Sequence, residues 1–169
     1  MPTLRATRFT AEMQAQPDVQ EFECGTTEVS RDMADWITGP RCLVSMARGT
    51  EIWLFRNDAG NLIGFGSVGR TKWSWPEPGC PSEDVAIIPA FALQSPYQGM
   101  PSDADKENKY ACRIMRFLIE RARTMNVPRV VLYVHPSNKA AISLYTYLLF
   151  DFLADLHKGN AKMFRELTR

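Results

Sequence analysis

The sequence predicts a mixed α/β fold, with a central, mostly antiparallel twisted sheet flanked by helices. Three observations point there. Hydrophobic spacing changes between a period of two and a period near 3.6 in the order strand, helix, several strands, helix, strand, helix, two strands. A hairpin around "DAGN" and a closing strand pair around His157-Lys158-Gly159-Asn160 predict antiparallel neighbours. Neither G-x-G-x-x-G nor G-x-x-x-x-G-K-[ST] occurs, so the nucleotide loops of doubly wound folds are absent.

The elements follow in chain order. "TLRATRFT" alternates as a first strand. "VSRDMADWI" places Val29, Met33, Trp36 and Ile37 on one helical face, and Gly39-Pro40 reads as its stop. "EIWLFRN" and "LIGFGSVGR" flank the turn-forming "DAGN" and predict an antiparallel hairpin. "TKWSWPEPGCPSE" reads as a loop that exposes two tryptophans, Trp73 and Trp75. "DVAIIPAFALQ" reads as a central strand in which Pro89, having no N–H to donate, marks an irregularity. The polar "SPYQGMPSDADKENK" leads into "YACRIMRFLIERARTM", an amphipathic helix with Ile114, Leu118, Ala122 and Met125 on one face. The strand "RVVLYV", a helix from about Ser137 to Leu149, and the strands "FDFLADL" and "AKMFREL" close the chain.

Length and composition bound the function. At 169 residues and 45% hydrophobic, residues 1–169 are expected to form a single domain with a real core. A net charge of +1 argues against a dominant nucleic-acid or membrane field. The balance is uneven: up to Met100 there are 8 basic against 12 acidic side chains, and 12 against 7 beyond it. An anionic ligand is thus expected to meet the second part. Cys24, Cys42, Cys80 and Cys112 lack metal-ligand spacing and read as reduced thiols, with no metal expected. No apolar run approaches a membrane span, so the expected location is cytoplasmic, with no membrane partner. A homodimer is compatible with the chain, although no feature fixes an oligomeric state.

The unit "LYVHPSNKAAISLYTYLLF" resembles the signature of the GNAT superfamily of N-acetyltransferases, with Asn138, Ala141-Ile142, Leu144-Tyr145 and Phe150 in the family's places. "FALQSPYQG" resembles the fourth family strand and the start of its pyrophosphate loop, and "KMFREL" resembles the last strand. The resemblance implies a GNAT-like fold and acetyl-CoA as cosubstrate. Phe91, Ala92 and Leu93 would pair with the pantetheine arm, Gln98, Gly99 and Ala111 would form the pyrophosphate site, and Asn138 would hydrogen-bond the arm. It also implies direct attack by a primary amine on the thioester, with Tyr145 as general acid to the leaving thiolate. Tyr147 lies about 200° away around the helix and would face elsewhere. Glu83, or water alone, would take the amine's proton. Trp73 and Trp75 would wall the acceptor pocket, or else pack the loop onto the body.

The chain departs from the family pattern after Gly99. The middle glycine is absent, and "MPSDADKEN" intervenes before the helix. Asp103, Asp105 and Glu107 in this insert would repel phosphates, whereas Lys106 and Lys109 would offset them. Near the N-terminus, Phe22, Cys24 and Gly25 resemble the "Phe-x-Cys-Gly" segment of GNAT toxins that acetylate aminoacyl-tRNA. Against a tRNA partner stands the lack of a concentrated basic stripe. Three readings therefore remain: an N-acetyltransferase of unidentified amine acceptor, an aminoacyl-tRNA toxin, and a GNAT-shaped binding module without catalysis. Asn138 can equally be an ordinary residue of the first helical turn, and His135 reads as structural.

Overall fold

The computed structural model describes residues 3–167, the side chains of 154–157 excepted. It contains eight strands: β1 (Arg5–Arg8), β2 (Glu51–Arg56), β3 (Leu62–Trp73), β4 (Glu83–Ile87), β5 (Phe91–Leu93), β6 (Arg129–Val134), β7 (Asp151–His157) and β8 (Asn160–Glu166). The helices are α1 (Pro17–Gln20), α2 (Glu28–Thr38), α3 (Pro40–Ala47), α4 (Tyr110–Arg123) and α5 (Lys139–Tyr147). The expected mixed α/β architecture is present. Its pairings are antiparallel except for β4 with β6, which run parallel.

The chain forms two compact units, residues 1–67 with 90–117, and residues 68–89 with 118–169. Because β3 and α4 continue from one unit into the other, neither unit is a contiguous stretch of sequence.

In the first unit the strand order is β1-β2-β3-β5. Phe9, Val19, Phe22, Trp36, Ile37, Ile52, Leu54, Leu62 and Phe65 form its core. The Trp36 ring stacks on Phe65 at 5.8 Å, and Phe22 meets Phe65 edge-on at 5.2 Å. Thr27 starts α2 by accepting the Ser30 N–H at 3.1 Å. In the sequence, Gly39-Pro40 reads as the stop of this helix, with no helix after it. In the structure α2 does end at Thr38, but Pro40 opens α3, because proline suits the first helical position, where its missing N–H is no loss.

In the second unit β3-β4-β6-β8-β7 form the sheet. One face gathers Trp73, Val85 and Val131, with Trp75, Ile87, Tyr133, Leu153 and Phe164 packed against them. The exposure expected of the two tryptophans is therefore corrected. β3 runs on through Trp73, which places that ring on the sheet face at 4% exposure. Trp75 is half-buried against it, at 6.3 Å.

The single central strand expected around Pro89 is also corrected, since β4 and β5 take different partners. The Ile88 N–H donates to the Val131 carbonyl at 3.0 Å, continuing the β4–β6 pairing. Pro89 donates nothing. Ala90 then turns to Ser67, a fully buried residue. The Ser67 hydroxyl accepts the Ala90 N–H at 2.9 Å and donates to the Ala90 carbonyl at 2.8 Å, and the Ser67 N–H donates to that carbonyl at 3.0 Å. One buried hydroxyl thus moves the chain from the β6 side to the β3 side.

Candidate active site

The first unit holds the residues that the sequence assigns to a cofactor, Asn138 excepted. Ladder bonds from β5 to β3 fall at Ala90 with Ser67 and at Gln94 with Ile63 (2.8 Å). By the alternation of an antiparallel pair, Ala92 also faces β3, across from Phe65, whereas the peptide groups of Phe91 and Leu93 point away from it. Among the described residues β5 pairs with no strand but β3. Its other edge therefore presents the N–H and C=O of Phe91 and the N–H of Leu93. Close approach of β5 depends on Gly64, since a Cβ there would meet the Ala92 carbonyl oxygen at 2.4 Å.

The Gln98 side chain is engaged by the protein's own backbone. Its side-chain amide donates to the carbonyls of Cys24 (2.6 Å) and Leu93 (3.0 Å). Its N–H donates to Ser95 at 3.3 Å. Gln98 is thus a brace between β5 and the segment 22–25. The same segment is held by Ser95, whose N–H donates to the Glu23 carbonyl at 3.0 Å, and by Gln94, whose Oε1 accepts the Glu23 N–H at 3.3 Å. The sequence singled out Phe22, Cys24 and Gly25 on resemblance alone. The structure adds that Glu23 and Cys24 tie this segment to the end of β5.

Gly99 sits at φ +72 with open space around its Cα, a conformation that suits glycine. After it the chain makes a closed excursion. The Met100 carbonyl accepts the Tyr110 N–H at 2.9 Å, so residues 101–109 leave and return at one hydrogen bond. Of the acids expected to repel phosphate, Asp105 caps its own turn by accepting from the Asn108 N–H (3.1 Å) and Nδ2 (2.8 Å). Glu107 pairs with Arg116, which also donates through Nη2 at 2.9 Å. Ala111 lies in the first turn of α4, where helix geometry leaves N–H groups without intrahelical acceptors. These groups suit an anion.

The second unit carries the other candidates. Tyr145 is buried at 7% exposure and its ring lies 5.8 Å from Phe150, whereas Tyr147 is 42% exposed. The two tyrosines leave the helix on opposite sides, as their spacing predicts. Burial raises the Tyr145 phenol well above its ordinary pKa, so the side chain stays protonated. Asn138 caps α5, its Oδ1 accepting the Ala141 N–H at 3.2 Å. His135 Nδ1 contacts the Ser137 hydroxyl at 2.6 Å and accepts the Ser137 N–H at 3.1 Å, a local turn.

Glu83 is strongly engaged. Its Oε1 accepts from Arg129 Nη1 at 2.5 Å and from Trp75 Nε1 at 2.9 Å. Arg129 also lies over the Trp75 ring at 5.1 Å and pairs with Glu166 at 2.7 Å. Trp75 is thereby fixed between a carboxylate, a guanidinium and Phe164, whose ring is 5.5 Å away. The Lys162 ammonium lies 5.5 Å from the Trp73 ring centre. Trp73 Nε1 is buried without an acceptor among the described residues. No cluster suited to a metal ion occurs among them either, and no helix among them is long and apolar enough to cross a membrane.

Residues 10–149 match the model of a family described as "Acetyltransferase (GNAT) family". No curated protein matches the chain significantly by sequence. A crystal structure described as a bacterial toxin shares 15% identity at a TM-score of 0.73, over 99% of this chain and 92% of that one. Structures of the toxin AtaT are also similar. A tyrosine-to-phenylalanine variant, bound to the C-terminus of the antitoxin AtaR and acetyl-CoA, shares 12% identity at 0.66, over 97% and 93%. AtaT complexed with acetyl-methionyl-tRNAfMet shares 14% at 0.62, over 97% and 95%. The paiA N-acetyltransferase of Thermoplasma acidophilum, in complex with coenzyme A, shares 13% at 0.64, over 97% and 99%. At these identities the likeness is one of fold.

Proposed function

Because the chain belongs to the GNAT acetyltransferase family, we propose that it transfers the acetyl group of acetyl-CoA to a primary amine by direct attack. The observation that carries this reading is the edge of β5, where Phe91 and Leu93 turn their peptide groups away from β3. A pantetheine arm contains amides and can pair with such an edge as a strand would. The pyrophosphate would meet Gly99 and the first turn of α4 at Ala111, with Gln98 holding the strand end rather than the phosphate. Asn138 would contribute its Nδ2, its Oδ1 being taken by the helix cap.

In the proposed reaction the amine nitrogen attacks the thioester carbonyl carbon and the C–S bond breaks. The sulfur takes the proton of the Tyr145 hydroxyl. The amine proton goes to solvent, or to Glu83 through Oε2, since Oε1 is committed to Arg129 and Trp75. The products are an amide and CoA thiol. Trp75, fixed by Glu83, and Trp73 would serve the acceptor side, where an aromatic wall favours a cationic amine.

Titration calorimetry with acetyl-CoA tests the reading. A Kd in the micromolar range is expected, about −8 kcal/mol. No heat and no thermal stabilisation at millimolar acetyl-CoA would leave a GNAT-shaped binding module in its place. A second reading, acetylation of aminoacyl-tRNA, is favoured by Phe22, Cys24 and Gly25 and by the toxins among the fold neighbours. Incubation with aminoacylated tRNA and labelled acetyl-CoA decides it. Label in the tRNA fraction supports the toxin reading, and label confined to small amines sets it aside.

A further inference from the structure

The insert after Gly99 is bridged by one side chain. Lys109 Nζ donates to the Gly99 carbonyl at 2.8 Å and to the Pro101 carbonyl at 3.1 Å, binding the departing chain at the point where it returns. The same residue caps α4, its carbonyl accepting the Arg113 N–H at 3.1 Å. Local preference argues against lysine there. A lysine offers no oxygen to the first-turn N–H groups, and its charge sits at the positive end of the helix. Two of the three acids of the insert do not explain it, because Asp105 is spent on its own turn and Glu107 on Arg116.

We propose that Lys109 is the positioning residue that fixes Gly99 against the start of α4, so that the inserted loop leaves the acetyl-CoA pyrophosphate site intact. The inference rests on the acetyl-CoA reading above. Gly99 occupies a conformation that a free glycine visits among many, and freezing it costs entropy at the moment of binding. Two charge-assisted hydrogen bonds from Lys109 hold the Gly99 and Pro101 carbonyls in advance. The middle glycine of the family pattern is missing here, and Lys109 does its work from the far end of the insert.

The test is acetyl-CoA binding by Lys109→Met in the full chain, measured by calorimetry over a range of salt, with S-acetyl-pantetheine as a probe lacking the pyrophosphate. Affinity for acetyl-CoA is expected to fall about tenfold, the scale of a lost pair of hydrogen bonds. The salt dependence should match the wild type, and thermal stabilisation by millimolar S-acetyl-pantetheine should not change. Lys109→Gln, which keeps a donor for one carbonyl, should lose less, and it replaces the methionine variant if that one fails to fold. Unchanged acetyl-CoA affinity would overturn the proposal. So would a flattened salt dependence, which would make Lys109 a direct phosphate partner. Failure of the wild type to bind acetyl-CoA would instead sink the proposed function.

Discussion

The Gln98 side-chain amide reaches the Cys24 carbonyl at 2.6 Å across 74 residues of chain. It shares that nitrogen with the Leu93 carbonyl, so the end of β5 and the segment after Phe22 are positioned by one group. Gln98→Leu would leave both part-buried carbonyls without their donor, at a cost of about 1–3 kcal/mol. For a chain of this size that is a melting temperature lower by roughly 2–12 °C. Acetyl-CoA affinity should fall with it, because Leu93 lends its N–H to the proposed arm. Loss of stability with unchanged affinity would show that the brace serves the fold alone.

Gly64 tests the same strand from the other side. In Gly64→Ala the added Cβ meets the Ala92 carbonyl oxygen at 2.4 Å and the Leu93 Cα at 3.1 Å, so β5 must move. Overpacking of this kind costs about 1–3 kcal/mol. Because the displaced groups are backbone, weaker acetyl-CoA binding should accompany the lower melting temperature. A variant with wild-type affinity would place the cofactor arm away from β5.

Much of this arrangement was legible in the sequence, and the rest was hidden for identifiable reasons. Periodicity found α2, α4 and α5 because each buries one face, and it placed Tyr145 and Tyr147 on opposite sides. It could not find α3, since Gly39-Pro40 reads as a stop although proline also starts helices. It could not divide β4 from β5, because both read as one apolar run. The divider is the Ser67 hydroxyl, 23 residues away in sequence. Pro76, Pro78 and Gly79 make the stretch around Trp73 look like a loop, yet the strand ends only at Trp73. Gln98 and Lys109 act through backbone carbonyls, which no side-chain motif records.

The cysteines should differ in reactivity. Burial, reinforced by Glu23, pushes the Cys24 thiol up to about 11, so almost none is thiolate at neutral pH. Burial also raises Cys42 and Cys112, while Cys80 is exposed. Iodoacetamide at pH 8 should therefore modify Cys80 rapidly and the other three only on unfolding, as peptide mapping would show. Fast labelling of Cys24 in the native protein would mean that the segment from Phe22 to Gly25 opens readily.

Tyr145 carries the chemical prediction. Burial keeps the phenol neutral but also makes it a weaker acid, so its candidacy as donor rests on its place in the GNAT signature and not on its acidity. The proton is needed only as the C–S bond breaks, which places its effect in the transition state rather than in either bound ground state. Tyr145→Phe should then lower kcat by about 10²–10⁴ while acetyl-CoA affinity stays near the wild-type value. Tyr147→Phe is the control, because that ring is 42% exposed on the opposite side of α5. The phenylalanine at 145 keeps the packing on Phe150, so the melting temperature should hold within a few degrees. Activity lost in Tyr147→Phe and kept in Tyr145→Phe would reverse the assignment. Activity kept in both, in an enzyme that turns over, would make water the donor to the thiolate.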